Sequence, residues 1–381
     1  MRKSVFVSFI AALLVLGACE NTIRYEYDST DGQITLLSAM YTTDTEHSVI
    51  LSMSYPDRVE ALPEATVVCY VNDVRHTAVQ QPVPLEEYYY YDQVAEEVLM
   101  EMRPREQRFT EYRFSAEIKP GDEVRVEASK GSLKAWAQVT VPQPGRLLQV
   151  DTATVVRTVN YTDLDGSYTW EDTYVDVTAK IRDVPGADSY FTLTASSLTE
   201  GVIRYYDEDG NLERTEPYRS EDADIRYDTF HDKILEDGFS AGEGGGLLSE
   251  LLPTNEMHCF SDKEFRDGEA SVRPSFGVDR FYNDGEAYFW TVPEGAVGEL
   301  HSTFRLHLRT ISRDYYNYLR AINNMETYGY DVTPVIEPTM LPCNVTGGFG
   351  MVSVAAQETF VIDPAPGTSV IIDRREPLIY Y

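Results

Sequence analysis

The chain has 381 residues, of which 43% are hydrophobic, and a formal net charge of −31 at pH 7. This length is sufficient for two domains of ordinary size or for one large domain. The excess of acidic residues argues against nucleic-acid binding, because phosphate recognition depends on lysine and arginine side chains that release counterions. The acidity suits Ca²⁺, a basic partner or plain solubility, and we favour solvated acidic faces.

The N-terminal segment has the pattern of an export signal. Two basic residues precede a mostly apolar run, Val5 to Leu16, which is shorter than the roughly 20 residues of a bilayer span. The run is followed by Gly-Ala-Cys19, and Leu-Gly-Ala-Cys resembles the lipobox of Gram-negative lipoproteins, which signal peptidase II cuts before the cysteine. We therefore expect residues 1–18 to be removed and Cys19 to carry acyl chains such as palmitate, which would anchor the protein to a membrane.

A first β domain is predicted after a polar tether over residues 19–33. From residue 34 the chain has short runs of alternating β-branched and aromatic residues, separated by turn residues such as Pro120-Gly121-Asp122. This pattern predicts an immunoglobulin-like β-sandwich over residues 34–142. The expected strands are Ile34 to Met40, Ser48 to Tyr55, Ala65 to Asn72, Phe109 to Ile118, Glu123 to Ser129 and Lys134 to Val141.

An acidic insertion, residues 82–108, interrupts this sandwich, and its role is left open by the sequence. Tyr91, Val94, Val98 and Met102 have the spacing of one helix face, so we expect a helix there.

A second β-rich domain is predicted over residues 147–362, after the Pro142-Gln-Pro-Gly145 break, followed by a C-terminal tail over 363–381. Asp165-Gly166 and Asp209-Gly-Asn211 indicate hairpin turns, whereas Ser220 to Glu256 is interpreted as a long excursion from the sheet. A strand with a two-residue period around 301–309 continues into a helix near residues 313–323, for which Ser312 is the predicted N-cap. The predicted fold class is therefore mainly β, with one helix near residues 313–323.

Two motifs resemble catalytic or metal-binding sequences, but their surroundings favour other interpretations. Gly238-Phe-Ser-Ala-Gly242 fits the GxSxG nucleophile elbow, but neither a strand before it nor a helix after it is predicted, so we favour a flexible loop over a nucleophilic Ser240. Asp207 to Asn211 lacks the glycine and glutamate that a Ca²⁺ loop requires in this register, and a hairpin turn is the better interpretation.

The polar face of the strand at 301–309 is the other cluster of chemical interest. His301 and His307 share this face but lie roughly 20 Å apart, too far to hold one metal ion. Arg305, His307 and Arg309 form a basic stripe that is either a partner site or internally paired, and we favour pairing. The sequence predicts no metal site and no cofactor.

Three cysteines, Cys69, Cys259 and Cys343, remain if Cys19 is lipidated. Cys69 lies in an alternating strand and is most simply a small buried hydrophobe. Whether Cys259 and Cys343 form a disulfide is left open by their spacing.

Tyrosine is unusually frequent, with 27 residues. Aromatic faces can stack on sugar rings, but β-sheets also use tyrosine for packing. The candidate ligand or partner contacts are the clustered tyrosines Tyr88, Tyr89, Tyr90, Tyr91, Tyr205 and Tyr206.

Several segments together resemble one family, the lipoproteins grouped as domain-of-unknown-function family 4249, often encoded beside TonB-dependent receptors. Beyond the lipobox, the resemblance rests on Ala65 to Val71, Lys119 to Val126, Asp183 to Tyr190, Phe260 to Gly268, Leu306 to Leu319 and Asn344 to Gly350. The long acidic insertion and Cys343, where a serine-like residue is expected, depart from the pattern. The resemblance implies an outer-membrane lipoprotein of two β domains, facing either the periplasm or the cell surface, and transfers no catalytic residue.

These observations lead to a functional expectation without an enzyme activity. We expect a non-enzymatic accessory or ligand-capturing lipoprotein that works with a TonB-dependent transporter. The alternative is a structural or adhesive surface lipoprotein, and a hydrolase using Ser240 is a remote third.

Overall fold

The structure is a computed structural model. It describes residues 32–56, 58–82, 87–94, 97–104, 108–163, 166–207, 209–222, 227–229, 232–237, 255, 257–277, 292–328, 341–363 and 369–375. The described residues are dominated by strands, so the mainly β fold class is confirmed.

The described strands of the first half are β1 Gln33–Tyr41, β2 Glu46–Ser54, β3 Val59–Ala61, β4 Thr66–Val71, β5 Val74–Thr77, β6 Val79–Gln80, β7 Glu87–Val94, β8 Glu97–Pro104, β9 Thr110–Ser115, β10 Glu123–Lys130 and β11 Leu133–Thr140. The later ones are β12 Arg146–Asp163, β13 Gly166–Arg182, β14 Tyr190–Tyr206, β15 Leu212–Asp222, β16 Cys259–Ser261, β17 Glu269–Val272, β18 Ser275–Gly277, β19 Ala296–Ile311, β20 Phe349–Ile362 and β21 Val370–Asp373. The six strands expected in the first domain all form, with ends within a few residues of the prediction.

Helices are few in the described part of the chain: α1 Lys233–Glu236, a 3₁₀ turn at Asp262–Glu264, and α2 Arg313–Tyr328. The predicted helix is thus confirmed and extends five residues further than expected, and α1 was not predicted. Ser312 caps α2 as predicted, since its hydroxyl accepts from the Tyr315 N–H at 3.2 Å. No helix among the described residues is long and apolar enough to span a bilayer.

The largest sheet runs through both halves of the chain, in the order β15-β14-β19-β20-β1-β2-β9-β6. A second sheet has the order β11-β10-β4-β5, and a third has β12-β13-β17 with β18 beside β13. β7 and β8 pair with each other as a separate two-stranded ribbon.

The first hydrophobic core lies between the large sheet and the β4–β10–β11 sheet. Alternate residues of both sheets point into it, among them Leu36, Leu51, Val67 and Val126, each no more than 1% exposed. Cys69 is part of this core, as predicted. Two sheets that bury alternate residues against each other form the expected sandwich.

Strand β20 joins the two halves of the molecule. Its first part, Phe349 to Ala355, pairs in parallel with β1, and its second part, Ala356 to Ile362, pairs antiparallel with β19. Val352 and Val354 consequently belong to the first core, although they lie more than 200 residues after its other strands. The boundary near residue 142 stays a prediction, and the structure adds that the sandwich is completed by the C-terminal region.

The segment leading into β20 fits closely against the sandwich. The Asn344 side chain accepts from the Val352 N–H at 2.9 Å and donates to the Val352 carbonyl at 2.8 Å, so it substitutes for a neighbouring strand. A Cβ added at Gly350 would lie 2.1 Å from the Leu36 carbonyl oxygen. The glycine-rich motif therefore allows β1 and β20 to approach, which is a structural role.

The second core lies between the large sheet and the β12–β13 sheet, where Val177, Ile181, Leu193 and Leu306 are buried. Tyr227 and Leu235 also pack into it. Part of the segment predicted as an excursion from the sheet, 220–256, thus returns to the core, where Tyr227 and Leu235 are buried.

The helix expected within residues 82–108 is wrong. The chain forms the β7–β8 hairpin instead, with Tyr91 opposite Met100 and Tyr89 opposite Met102. Aromatic and β-branched residues are enriched in strands, and here this preference outweighs the helical spacing of four apolar positions.

Two further details concern the expected tail, which is partly ordered, and the two cysteines whose pairing the sequence left open. Residues 370–373, within the expected tail, form β21 and pair with β19. Cys259 is buried, Cys343 is exposed, and both are free, so no disulfide joins them.

Candidate functional site

The structure separates the sequence-predicted contact residues. Tyr88 to Tyr91 occupy consecutive positions of β7, whereas Tyr205 and Tyr206 end β14 in the large sheet. The Arg214 guanidinium lies 4.0 Å from the centroid of the Tyr205 ring. Tyr205 also packs against a small cluster that contains buried Leu300. The ring of Tyr205 thus contributes to packing, and a ligand role for the six tyrosines stays a prediction.

Cys19 and Ser240 lie outside the described residues. The predicted turn at Asp207 to Asn211 is confirmed as a hairpin connection between β14 and β15. The Asp207 carboxylate accepts from the Asn211 N–H at 2.7 Å and the Asp209 N–H at 3.0 Å. These hydrogen bonds lower the pKa of Asp207, that of Asn211 most strongly. The turn uses this carboxylate for its own backbone.

A polar cluster at Asp237 ties α1, β16 and α2 together. Tyr316 donates a short hydrogen bond to the Asp237 carboxylate, Ser261 donates to it at 3.2 Å, and Arg320 donates to the Asp237 carbonyl at 3.0 Å. Burial, and then the bond to Asp237, raise the pKa of Tyr316 to about 12. Tyr316 therefore remains a protonated donor, and the cluster acts as a structural tie between the helix and the second core.

The residues of the basic stripe on β19 make their contacts within the protein, and the favoured charge pairing is confirmed for Arg305. Arg305 contacts Glu221 at 3.0 Å, and Arg309 donates to Gln357 at 2.7 Å. The Arg309 guanidinium also lies 4.1 Å from the centre of the Tyr41 ring. These contacts lie along the sheet itself, so the stripe stabilises the polar face of β14, β19 and β20.

His307 lies in the middle of this stripe and is 9% exposed. Its two ring nitrogens each lie 2.9 Å from a hydroxyl oxygen, Nε2 from Ser196 and Nδ1 from Thr359. Burial, and then the charges of Arg309 and Arg305, lower the pKa of His307 to about 4. His307 is consequently neutral at pH 7 and its hydrogen-bonding capacity is used within the sheet.

The described region with the clearest capacity for a ligand is an open pocket of about 400 Å³ beside β17. Its walls carry side chains from four parts of the chain: Lys180, Lys233, Ile234, Glu264, Arg266 and Glu269. A pocket of this volume is within the range of small-molecule sites.

One segment that carries the family resemblance, 260–268, contributes to a wall of this pocket, and a second, 183–190, is hydrogen-bonded to it. The Asp262 carboxylate accepts from the Ser189 N–H at 2.8 Å, and the Asp183 N–H donates to the Gly268 carbonyl at 3.0 Å. Gly268 has φ of +75°, and a Cβ there would lie 2.7 Å from the Asp183 carboxylate. These bonds lock the 183–190 loop to the 260–268 segment and so fix the positions of Glu264 and Arg266.

Some charged side chains of the pocket have ion-pair partners among the described residues and others do not. Glu269 contacts Lys180 at 2.5 Å and Arg182 at 2.6 Å, and hydrogen bonds from these two side chains lower its pKa. Within the described part of the chain, neither Lys233 nor Arg266 forms an ion pair. On a chain with a net charge of −31, the wall therefore presents two cations that are available to an anionic group.

Sequence reasoning missed this pocket. Its cations come from positions 180, 233 and 266, and no local motif connects them. The one signal in the sequence was the family-like segment Phe260 to Gly268, of which two charged residues, Glu264 and Arg266, line the wall. Elsewhere, the described residues bring no three His, Cys, Asp or Glu side chains together in a metal-binding arrangement.

Comparisons with known proteins give one result. A family model described as "Domain of unknown function (DUF4249)" matches residues 20–360. No curated protein matches the chain.

Proposed function

The chain belongs to the DUF4249 family, and on that premise we propose that it is an outer-membrane lipoprotein, anchored through Cys19, that serves as a non-enzymatic accessory or ligand-capturing partner of a TonB-dependent transporter. The lipobox-like sequence before Cys19 supports the anchor. The receptor partner is supported by the family resemblance and by the β7–β8 ribbon, since binding residues concentrate on elements that stand off a rigid scaffold.

The pocket beside β17 is the observation that carries the ligand-capturing part of this proposal. Lys233 and Arg266 offer donors to a carboxylate or phosphate group, and the neighbouring Glu264 can accept hydrogen bonds from hydroxyl groups. The ligand that fits these walls is a small, hydroxylated anion. Its negative charge would be attracted locally although the protein as a whole is acidic.

We expect glucuronate to bind the full chain, and Arg266→Glu to weaken that binding at least tenfold, because the substitution replaces an attractive charge by a repulsive one in the pocket wall. A tenfold loss corresponds to about 1.4 kcal/mol. Isothermal titration calorimetry measures the affinity, with neutral glucose as the comparison ligand. Lys263→Glu is the matched control: it makes the same charge change on an exposed residue of the same segment that does not line the pocket.

If Arg266→Glu and Lys263→Glu weakened glucuronate binding equally, the ligand would be responding to the net charge of the protein and not to the pocket. Equal affinity for glucose and glucuronate would contradict an anion site. Either result would remove the pocket as the basis for ligand capture.

The transporter partnership is tested by gentle detergent extraction and cross-linking in intact outer membranes. We expect a large β-barrel protein to co-purify with the full chain. Deletion of residues 87–104 should abolish this association while lowering the melting temperature by no more than a few degrees, since β7 and β8 pair with no other described strand. Recovery of the free protein alone would reject the accessory hypothesis and favour the adhesive one.

A further inference from the structure

Strand β12 forms a long edge of the β12–β13–β17 sheet. It has 18 residues and pairs with β13 along its length. No described strand pairs with its other side. Near its start, the Leu147 N–H donates to Glu358 at 2.6 Å. From residue 149 onward, no described residue bonds to the outer backbone groups of β12, which are those of a sheet edge.

Exposed edges of this length are usually protected against pairing with other chains. Proteins use lysine, proline, charged residues or short strands for this purpose. Strand β15, at one edge of the large sheet, follows the rule, with Pro217 and charged residues such as Glu213, Arg214 and Arg219. β12 does not, since Thr152 to Val156 is an uncharged stretch of small and β-branched residues.

The composition of β12 is also self-complementary. If two copies of the strand pair antiparallel about a two-fold axis at Thr154, then Asp151 of each copy lies opposite Arg157 of the other. The uncharged residues between them then face one another. Opposite charges across an antiparallel pair are favourable, whereas like charges are not. A two-fold interface of this kind is closed, so it yields a dimer and no filament.

The side chains at the two ends of this stretch are held in place. Arg157 makes two contacts with Asp176, at 2.6 and 2.7 Å, and its guanidinium lies 4.8 Å from the Tyr174 ring centre. Asp151 accepts from Gln149 at 2.6 Å. Such contacts hold these two side chains in place before a partner arrives, which reduces the entropy lost on association.

We propose that β12 is a homodimerisation edge, at which a second copy of this chain adds its own β12 antiparallel with Thr154 at the two-fold axis. The two β12–β13 sheets then become one continuous sheet across the dimer. Because each copy is strongly acidic, their mutual repulsion opposes the contact at low ionic strength. Dimerisation should therefore strengthen when salt screens that repulsion.

A disulfide trap tests both the edge and the register. Residues directly opposite in an antiparallel pair have Cα atoms about 4.5–5.5 Å apart, within disulfide range, whereas the two copies of residue 152 would be about 13 Å apart. In the full chain carrying Cys343→Ser, which removes the exposed thiol of the described residues, Thr154→Cys should form covalent dimers under mild oxidation. Thr152→Cys is the matched control and should give at least tenfold less.

Analytical ultracentrifugation of the full chain in detergent gives a second measurement without cysteine chemistry. We expect a dimer whose fraction increases between about 0.05 and 0.5 M salt, and its loss in Thr154→Lys, which places two like charges opposite each other. Thr215→Lys, on the exposed edge strand β15, makes the same change and should leave the dimer intact.

The proposal would be overturned by a monomer at about 100 μM under all salt conditions, by a dimer that survives Thr154→Lys, or by equal trapping by Thr152→Cys and Thr154→Cys. Capture of a different protein by Thr154→Cys in whole membranes would also overturn it, and would assign the edge to a strand from that partner.

Discussion

Replacing Gly350 by alanine is expected to remove about 3 kcal/mol or more of folding free energy, a large part of the 5–15 kcal/mol that typical domains possess. Gly350 has φ of +116°, which side-chain-bearing residues rarely adopt, and a Cβ would lie 2.1 Å from the Leu36 carbonyl oxygen. Strained backbone conformations and overpacking each cost of order 1–3 kcal/mol. Neither can be relieved locally, because the overlapping atom is backbone of β1.

The effect is specific to the junction between β1 and β20, and it can be measured by urea or guanidinium unfolding. Gly131→Ala is the control: Gly131 also has positive φ, at +60°, but no atom lies within 4 Å of the added Cβ. Gly131→Ala should lower the free energy of unfolding by only about 1–2 kcal/mol, which is the cost of the positive φ alone. If both substitutions destabilised the protein equally, the close approach of β20 to β1 would be refuted.

The elements that the sequence predicted correctly are those with local signals. The strands of the sandwich show alternation between apolar and polar residues, and Ser312 stands where an N-cap is needed, with its hydroxyl accepting a hydrogen bond from the Tyr315 N–H. The turn at Asp207 also has a local cause. Its carboxylate accepts hydrogen bonds from the backbone of residues that follow within four positions, and such a turn is recognisable from the neighbouring sequence. In each case the physical cause of the structure lies within a few positions of the residue.

The elements that were missed have causes elsewhere in the chain. The parallel pairing of β1 with Phe349 to Ala355 joins strands more than 300 residues apart, and no periodicity in either strand identifies the other. The pocket is similar, because Lys233 and Arg266 are 33 positions apart in the chain and line one pocket only in the folded structure. The wrong prediction of a helix within residues 82–108 has a different origin. Four apolar residues of this segment have helical spacing, but its tyrosines favour strands, and the segment forms the β7–β8 hairpin.

Cys19→Ala is expected to produce the largest change in the cell, namely the loss of membrane attachment. The cysteine thiol is the proposed acylation point, so without it the precursor should remain uncleaved or the exported chain should lack lipid. One acyl chain gives only marginal binding, and each further buried methylene adds about 0.8 kcal/mol, so removing several chains together shifts the equilibrium by orders of magnitude. Mass spectrometry of the N-terminal peptide and separation of outer membranes by density gradient measure the two consequences.

Cys343→Ala is the matched control for this change. Cys343 is the exposed cysteine of the described residues, so its removal tests whether any accessible thiol matters, while the lipobox-like sequence remains intact. The control should keep both the lipid and the outer-membrane fraction. Equal membrane retention of Cys19→Ala and the control would contradict the anchor. The proposed partnership with a membrane transporter would then need another means of bringing the two proteins together, because an acidic, unanchored chain would be diluted throughout its compartment.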